Sequence, residues 1–179
     1  MQRFRLIAVG LACLVSGAMV HAALVQKPRL VFAVDQIREK EAREAATALL
    51  EGAWELAENG SWERLAVGRA WYLGGDKAKG QQIFDAVTDD KKVESSDWFR
   101  LGRIYAEAGE WDKAKTAFDK SLALSPKDDS GMIEYGAWAN LNKERAKAEE
   151  LFDRAMKRNP REFWHWVNAA GSFLGVPPQ

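Results

Sequence analysis

Cysteine occurs once and histidine twice in the 179 residues, and these scarcities exclude more chemistry than any motif in the chain suggests. A lone Cys13 rules out an intrachain disulfide and a paired-cysteine redox centre. Two histidines, His21 and His165, are too few for the usual zinc cages, and no H-E-x-x-H, C-x-x-C or EF-hand pattern is present. The chain also lacks a G-x-S-x-G nucleophile turn and the glycine signatures of nucleotide-binding loops. Neither sign of charge dominates, with 26 basic against 26 acidic residues, and no basic stripe marks a nucleic-acid partner. Tryptophan runs the other way. Eight of them is high for this length and asks for a reason.

The one long apolar run lies at the start. Arg3 and Arg5 precede residues 6–20, all apolar or small, and Val20-His21-Ala22 then places small or aliphatic residues at the −3 and −1 positions of a signal-peptidase site. This pattern predicts residues 1–22 as a secretory signal cleaved after Ala22 and an exported, periplasmic chain. Left uncleaved, residues 6–25 are long enough to anchor the chain in an inner membrane. Lipid attachment at Cys13 fits less well, because the residues before it lack the usual leucine. Cleavage removes the cysteine and one histidine, so the remaining chain relies on packing alone.

That packing is visible at residues 98–126. Trp98, Leu101, Gly102 and Tyr105 fall on one helical face, Gly109 interrupts, and Ala114, Phe118 and Ser121 line a second helix that ends before Pro126. A shift of 34 residues carries Gly102 onto Gly136, Ala114 onto Ala148, Phe118 onto Phe152 and Pro126 onto Pro160. Shifted backwards, Gly102 lands on Gly68, Gly109 on Gly75 and Phe118 on Phe84. The spacing predicts helix pairs at 61–94, 95–128 and 129–162. Residues 23–60 contain a degenerate half-repeat, with Ala46, Leu50 and Ala53 in phase with Ala148, Phe152 and Ala155, inside one long helix or two over 35–58. Residues 163–179 supply a capping helix, where Trp166, Ala169, Ala170 and Phe173 keep the phase of Trp98, Leu101, Gly102 and Tyr105, followed by a tail.

A 34-residue period with W-x2-L-G-x2-Y, then A-x3-F and P, resembles the tetratricopeptide repeat. The resemblance spans about residues 35–174 and implies an all-α fold, a short right-handed solenoid of antiparallel helix pairs. Unit 129–162 departs from the pattern at Met132, Tyr135 and Lys143; unit 61–94 departs at Arg64, Gly80 and Lys92. The family's concave groove is lined by the second, fifth, ninth and twelfth residues of each first helix. Carried onto this chain, those positions imply a peptide-binding groove of Trp62, Leu65, Arg69, Tyr72, Phe99, Arg103, Ile133, Asn140 and Trp164, with Asn168 alongside. Arg69 and Arg103, one repeat apart, suit a ligand carboxylate. The alternative is that the N-terminal helix covers the groove and these residues are core. The lysine–asparagine clamp that some members use for chaperone tails is not matched, since its positions hold Leu65, Arg69, Phe99 and Arg103.

No residue makes a convincing catalyst. The Gly74–Gly80 stretch lacks the G-K-[ST] ending of a phosphate loop and falls where an interhelical turn belongs. Asp89-Asp90, Asp128-Asp129 and Glu149-Glu150 read as loops and solvated faces, Asn59-Gly60-Ser61 as a helix end with Ser61 capping the next helix, and His165 as a structural or surface histidine rather than a general base. The expectation is a non-enzymatic protein-interaction module in a cell-envelope assembly, without cofactor or metal, taking a peptide segment of a protein partner. Membrane association is expected only if the N-terminal segment stays uncleaved. The alternative is a glycan-binding or polysaccharide-export role, using exposed aromatics to stack on sugar rings.

Overall fold

A computed structural model describes residues 33–179, and the signal, anchor and Cys13 readings lie outside the described residues. Among the described residues there are eight α-helices and one short 3-10 turn (Val34–Gln36), with no strand. The one long helix or two expected over 35–58 are that turn and α1 (Ala42–Ala57), separated by Glu39 in a left-handed conformation. There follow α2 (Ser61–Leu73) and α3 (Lys77–Thr88), α4 (Ser95–Glu107) and α5 (Trp111–Leu124), α6 (Asp129–Leu141) and α7 (Arg145–Arg158), and finally α8 (Phe163–Phe173). First helices begin at 61, 95, 129 and 163, second helices at 77, 111 and 145. Each α2/α3, α4/α5 and α6/α7 pair packs as an antiparallel hairpin, while α8 lies against α6 and α7 and α1 against α2. The described residues thus form an all-α short solenoid.

One contact recurs in every pair. A Cβ built on Gly68 would sit 2.6 Å from the Phe84 ring, on Gly102 2.6 Å from Phe118, and on Gly136 2.7 Å from Phe152. Each phenylalanine fills the space that a missing methyl leaves on the facing helix. Around this seam Tyr72, Phe84 and Tyr105 pack at ring separations of 5.2 to 5.9 Å, and Phe118 stacks on Tyr135 at 4.9 Å. Ser121, buried in the same layer, donates to the Ser95 carbonyl at 2.8 Å and ties the end of α5 to the start of α4.

The turns between paired helices repeat as well. Gly75, Gly109 and Lys143 occupy equivalent positions and all have positive φ, of 96°, 73° and 68°. Glycine meets this requirement freely, whereas lysine is strained there. At helix starts, Asp76 accepts from the Lys79 amide and Asp128 from the Gly131 amide. Ser61 was expected to cap α2, but it is the first helical residue. Gly60 holds the cap position without a side-chain bond.

Two stability outcomes follow. Gly102→Ala should lower stability by about 1–3 kcal/mol through forced contact with Phe118, while Gly171→Ala, whose Cβ would meet only atoms at 3.6 Å or beyond, should be near neutral. Thermal melts of the two variants side by side check this. Lys143→Gly should raise stability by about 1 kcal/mol, because it relieves the left-handed lysine.

Candidate binding surface

The first helices α2, α4 and α6 present their second, fifth, ninth and twelfth residues along one stripe, which α8 continues with its second, fifth and ninth, and the structure divides that stripe. Leu65, Tyr72 and Ile133 are fully buried. They correct the open-groove reading: the stripe is apolar at these points and neighbouring repeats close over it, with Tyr72 wedged between Phe84 and Tyr105. Asn168 is buried too and accepts a hydrogen bond from the Gln179 amide at 3.2 Å, while Asn140 donates to Ser172 Oγ at 3.0 Å. Both asparagines hold α8 and the tail in place, Asn140 through Nδ2 and Asn168 through Oδ1.

The arginines are also engaged. Arg69 Nε donates to Glu107 Oε2 at 2.7 Å, and Arg103 Nε donates to Glu134 Oε2 at 2.6 Å. A second Arg103–Glu134 bond through the guanidinium NH2 makes that pair bidentate. Burial pushes the Glu134 carboxyl above its usual value, opposed by Arg103. An incoming carboxylate must therefore displace one from this chain. The two arginines read as suiting a ligand carboxylate are thus already paired, because the neighbouring first helix supplies its own acids.

What remains open is aromatic. Trp62 is 52% exposed, with the Arg100 guanidinium 3.5 Å from its ring centroid. Half-buried Phe99 lies under Arg103 at 5.1 Å. Trp164 is 52% exposed and meets Phe163 edge-on at 5.3 Å. Beside Trp62, a cavity of about 200 Å³ is lined by Arg64, Lys92, Glu94 and Asp97. Asp97 is buried there: Oδ2 accepts from the Glu94 amide at 3.0 Å and Oδ1 has no partner. Of the eight tryptophans, Trp54, Trp62, Trp164 and Trp166 are exposed, and all four sit near the two ends of the array. A larger cavity, about 420 Å³, opens between α1 and α2/α3 and is lined by Leu50, Trp54, Val67, Trp71 and Ile83 among others.

Arg100, Glu107 and Glu134 were missed from sequence, and each had a signal. Trp62 to Arg100 and Arg69 to Glu107 are 38 residues apart, one repeat plus one helical turn, and Arg103 to Glu134 is 31 apart, one repeat minus nearly a turn. His165 is buried with both ring nitrogens unpartnered, in keeping with its structural reading. Among the described residues no cluster of three or more His, Cys, Asp or Glu could hold a metal ion, and no helix is long and apolar enough to cross a membrane.

An electrostatic node joins the first two repeats. Glu110 receives Lys113 at 2.7 Å, Lys77 at 2.5 Å and the Tyr72 hydroxyl at 2.6 Å. Hydrogen bonds from Lys113, then Lys77, then Tyr72 hold its carboxyl down to about 2. Its folded value lies below its ordinary 4.5, so its contribution is present above pH 4.5 and lost as pH falls toward 2. Glu110→Gln should therefore flatten the acid limb of the stability curve between those pH values. Melting temperatures across that window read the difference.

Residues 95–128 match the family model described as tetratricopeptide repeat. No curated protein matches the chain.

Proposed function

This chain is a tetratricopeptide repeat protein, and on that premise we propose that it works as a non-enzymatic adaptor that takes a peptide segment of a protein partner against its exposed aromatics. Repeats of this family are generally protein–protein interaction modules, and the fold is typically non-catalytic. The observation that carries the finer reading is the exposure of Trp62 on α2, whose other groove positions are buried or paired, and of Trp164 on α8. Bulky apolar anchors of a partner fit beside them, and aromatic residues of this kind dominate interface energetics. Because Arg69 and Arg103 already hold Glu107 and Glu134, affinity rests on the apolar anchors more than on a ligand carboxylate. The glycan alternative draws less support, since one face of the Trp62 ring already carries a guanidinium. The apolar run at 6–20, ending in Val20-His21-Ala22, supports export, so the partner is sought in the cell envelope.

Affinity capture from an envelope extract tests this, with the parent beside a Trp62→Ala/Trp164→Ala variant of unchanged helix content. The expected result is one protein retained by the parent in high salt and lost from the variant. Equal retention by both moves the interface away from these aromatics, and loss in salt alone returns the weight to the arginines.

A further inference from the structure

The two ends of the array are complementary halves of one repeat. Helix α8 is placed as a first helix: Phe173 meets Phe152 at 6.3 Å, as Tyr105, two repeats earlier in phase, meets Phe84 at 5.9 Å. Within a complete pair, the face that a first helix turns to its second helix is covered, as at Gly102 and Tyr105 of α4. On α8 the same positions are Trp166, Ala170 and Phe173, and all three are exposed, Trp166 by 56%. The expectation of a cap closing this end meets a helix whose outer face is itself apolar.

Helix α1 shows the converse. In phase it is a second helix, with Ala46, Leu49 and Leu50 standing where α5 has Ala114, Ala117 and Phe118. Those three α5 residues are fully buried against α4, whereas Ala46 is exposed, Leu49 is 44% exposed and Leu50 is half-buried. The chain thus carries a first helix lacking its second and a second helix lacking its first.

We propose that α8 of one copy and α1 of a second copy pair as the two helices of a single repeat, joining copies head to tail. The side chains compensate in size. Where each complete pair sets a glycine against a phenylalanine, this junction sets Ala170 against Leu50: the added methyl meets a smaller, ringless side chain. The charges match as well. The residue opening each second helix reaches the carboxylate capping the next second helix: Lys77 to Glu110 at 2.5 Å, and Trp111 Nε1 to Glu144 at 2.9 Å. The third second helix opens with Arg145, and the residue capping α1 is Glu41. More broadly, α7 has a basic excess with Lys157 and Arg158 in its last turn, while α1 sets Glu44, Glu51 and Glu55 against Arg43 alone. Such a contact uses different surfaces on the two copies, so it extends into chains or closes into rings. It is separate from the groove reading above.

The test is the mass of the protein, purified with its native N-terminal processing, by sedimentation from micromolar to millimolar concentration. The expected result is growth beyond the monomer, abolished by Trp166→Glu and by Leu49→Glu separately. Mixing these two variants should restore complexes that stop at two copies, because each variant keeps one intact end. A monomer at every concentration overturns the proposal. A dimer that survives Leu49→Glu also overturns it, since a symmetric α8 contact needs no α1. Both substitutions replace exposed side chains. Should either lose helix content, Arg145→Glu and Glu41→Arg decide: each alone should weaken association several-fold and the double reversal restore it, whereas no effect of either overturns the pairing.

Discussion

A methyl group withheld from one helix and a phenyl ring supplied by the next set the spacing on which this molecule depends. Gly68–Phe84, Gly102–Phe118 and Gly136–Phe152 bring paired helices close enough for the neighbouring alanines, Ala114 and Ala148 among them, to be wholly buried. Close-packed interiors tolerate little change in volume, so these three contacts hold each hairpin to one geometry. The hairpins then stack with their aromatics interleaved, and stability accumulates repeat by repeat through nearest neighbours. Tyr72 and Tyr105 belong as much to the repeat that follows or precedes them as to their own.

The helical fold was legible because its signal is a distance along the chain, and distances survive substitution. Lys143 replaces a turn glycine and Gly80 a helix alanine, yet neither shifts the period. The binding surface was only partly legible, for a physical reason. Whether a first-helix residue faces solvent depends on how tightly the next first helix closes, and a 34-residue offset does not encode that closure. Leu65 and Ile133 were assigned to an open wall because the family's groove positions pointed there; their apolar character fits burial at least as well. Asn140 and Asn168 were placed correctly on the helices but are consumed by α8 and the tail.

The polar links between repeats were in the sequence unread. Contacts between successive first helices occur at separations of 38 and 31 residues, one repeat plus one turn or minus nearly one turn. A helix of 3.6 residues per turn brings just those offsets to one side. Scanning for opposite charges at these separations would have shown Arg69 and Arg103 as already partnered.

Helix α1 buries fully only Ala57, and a cavity of about 420 Å³ lies beneath it. The array therefore does not open as one block. Its first helix detaches at a smaller free-energy cost than the hairpins behind it, so its amides should exchange with solvent well before those of α4 to α7. Any molecule that seats against Leu49 and Leu50 must also secure α1 to the rest of the chain. Part of its binding energy goes into ordering that edge, leaving a contact that forms reversibly and responds steeply to concentration.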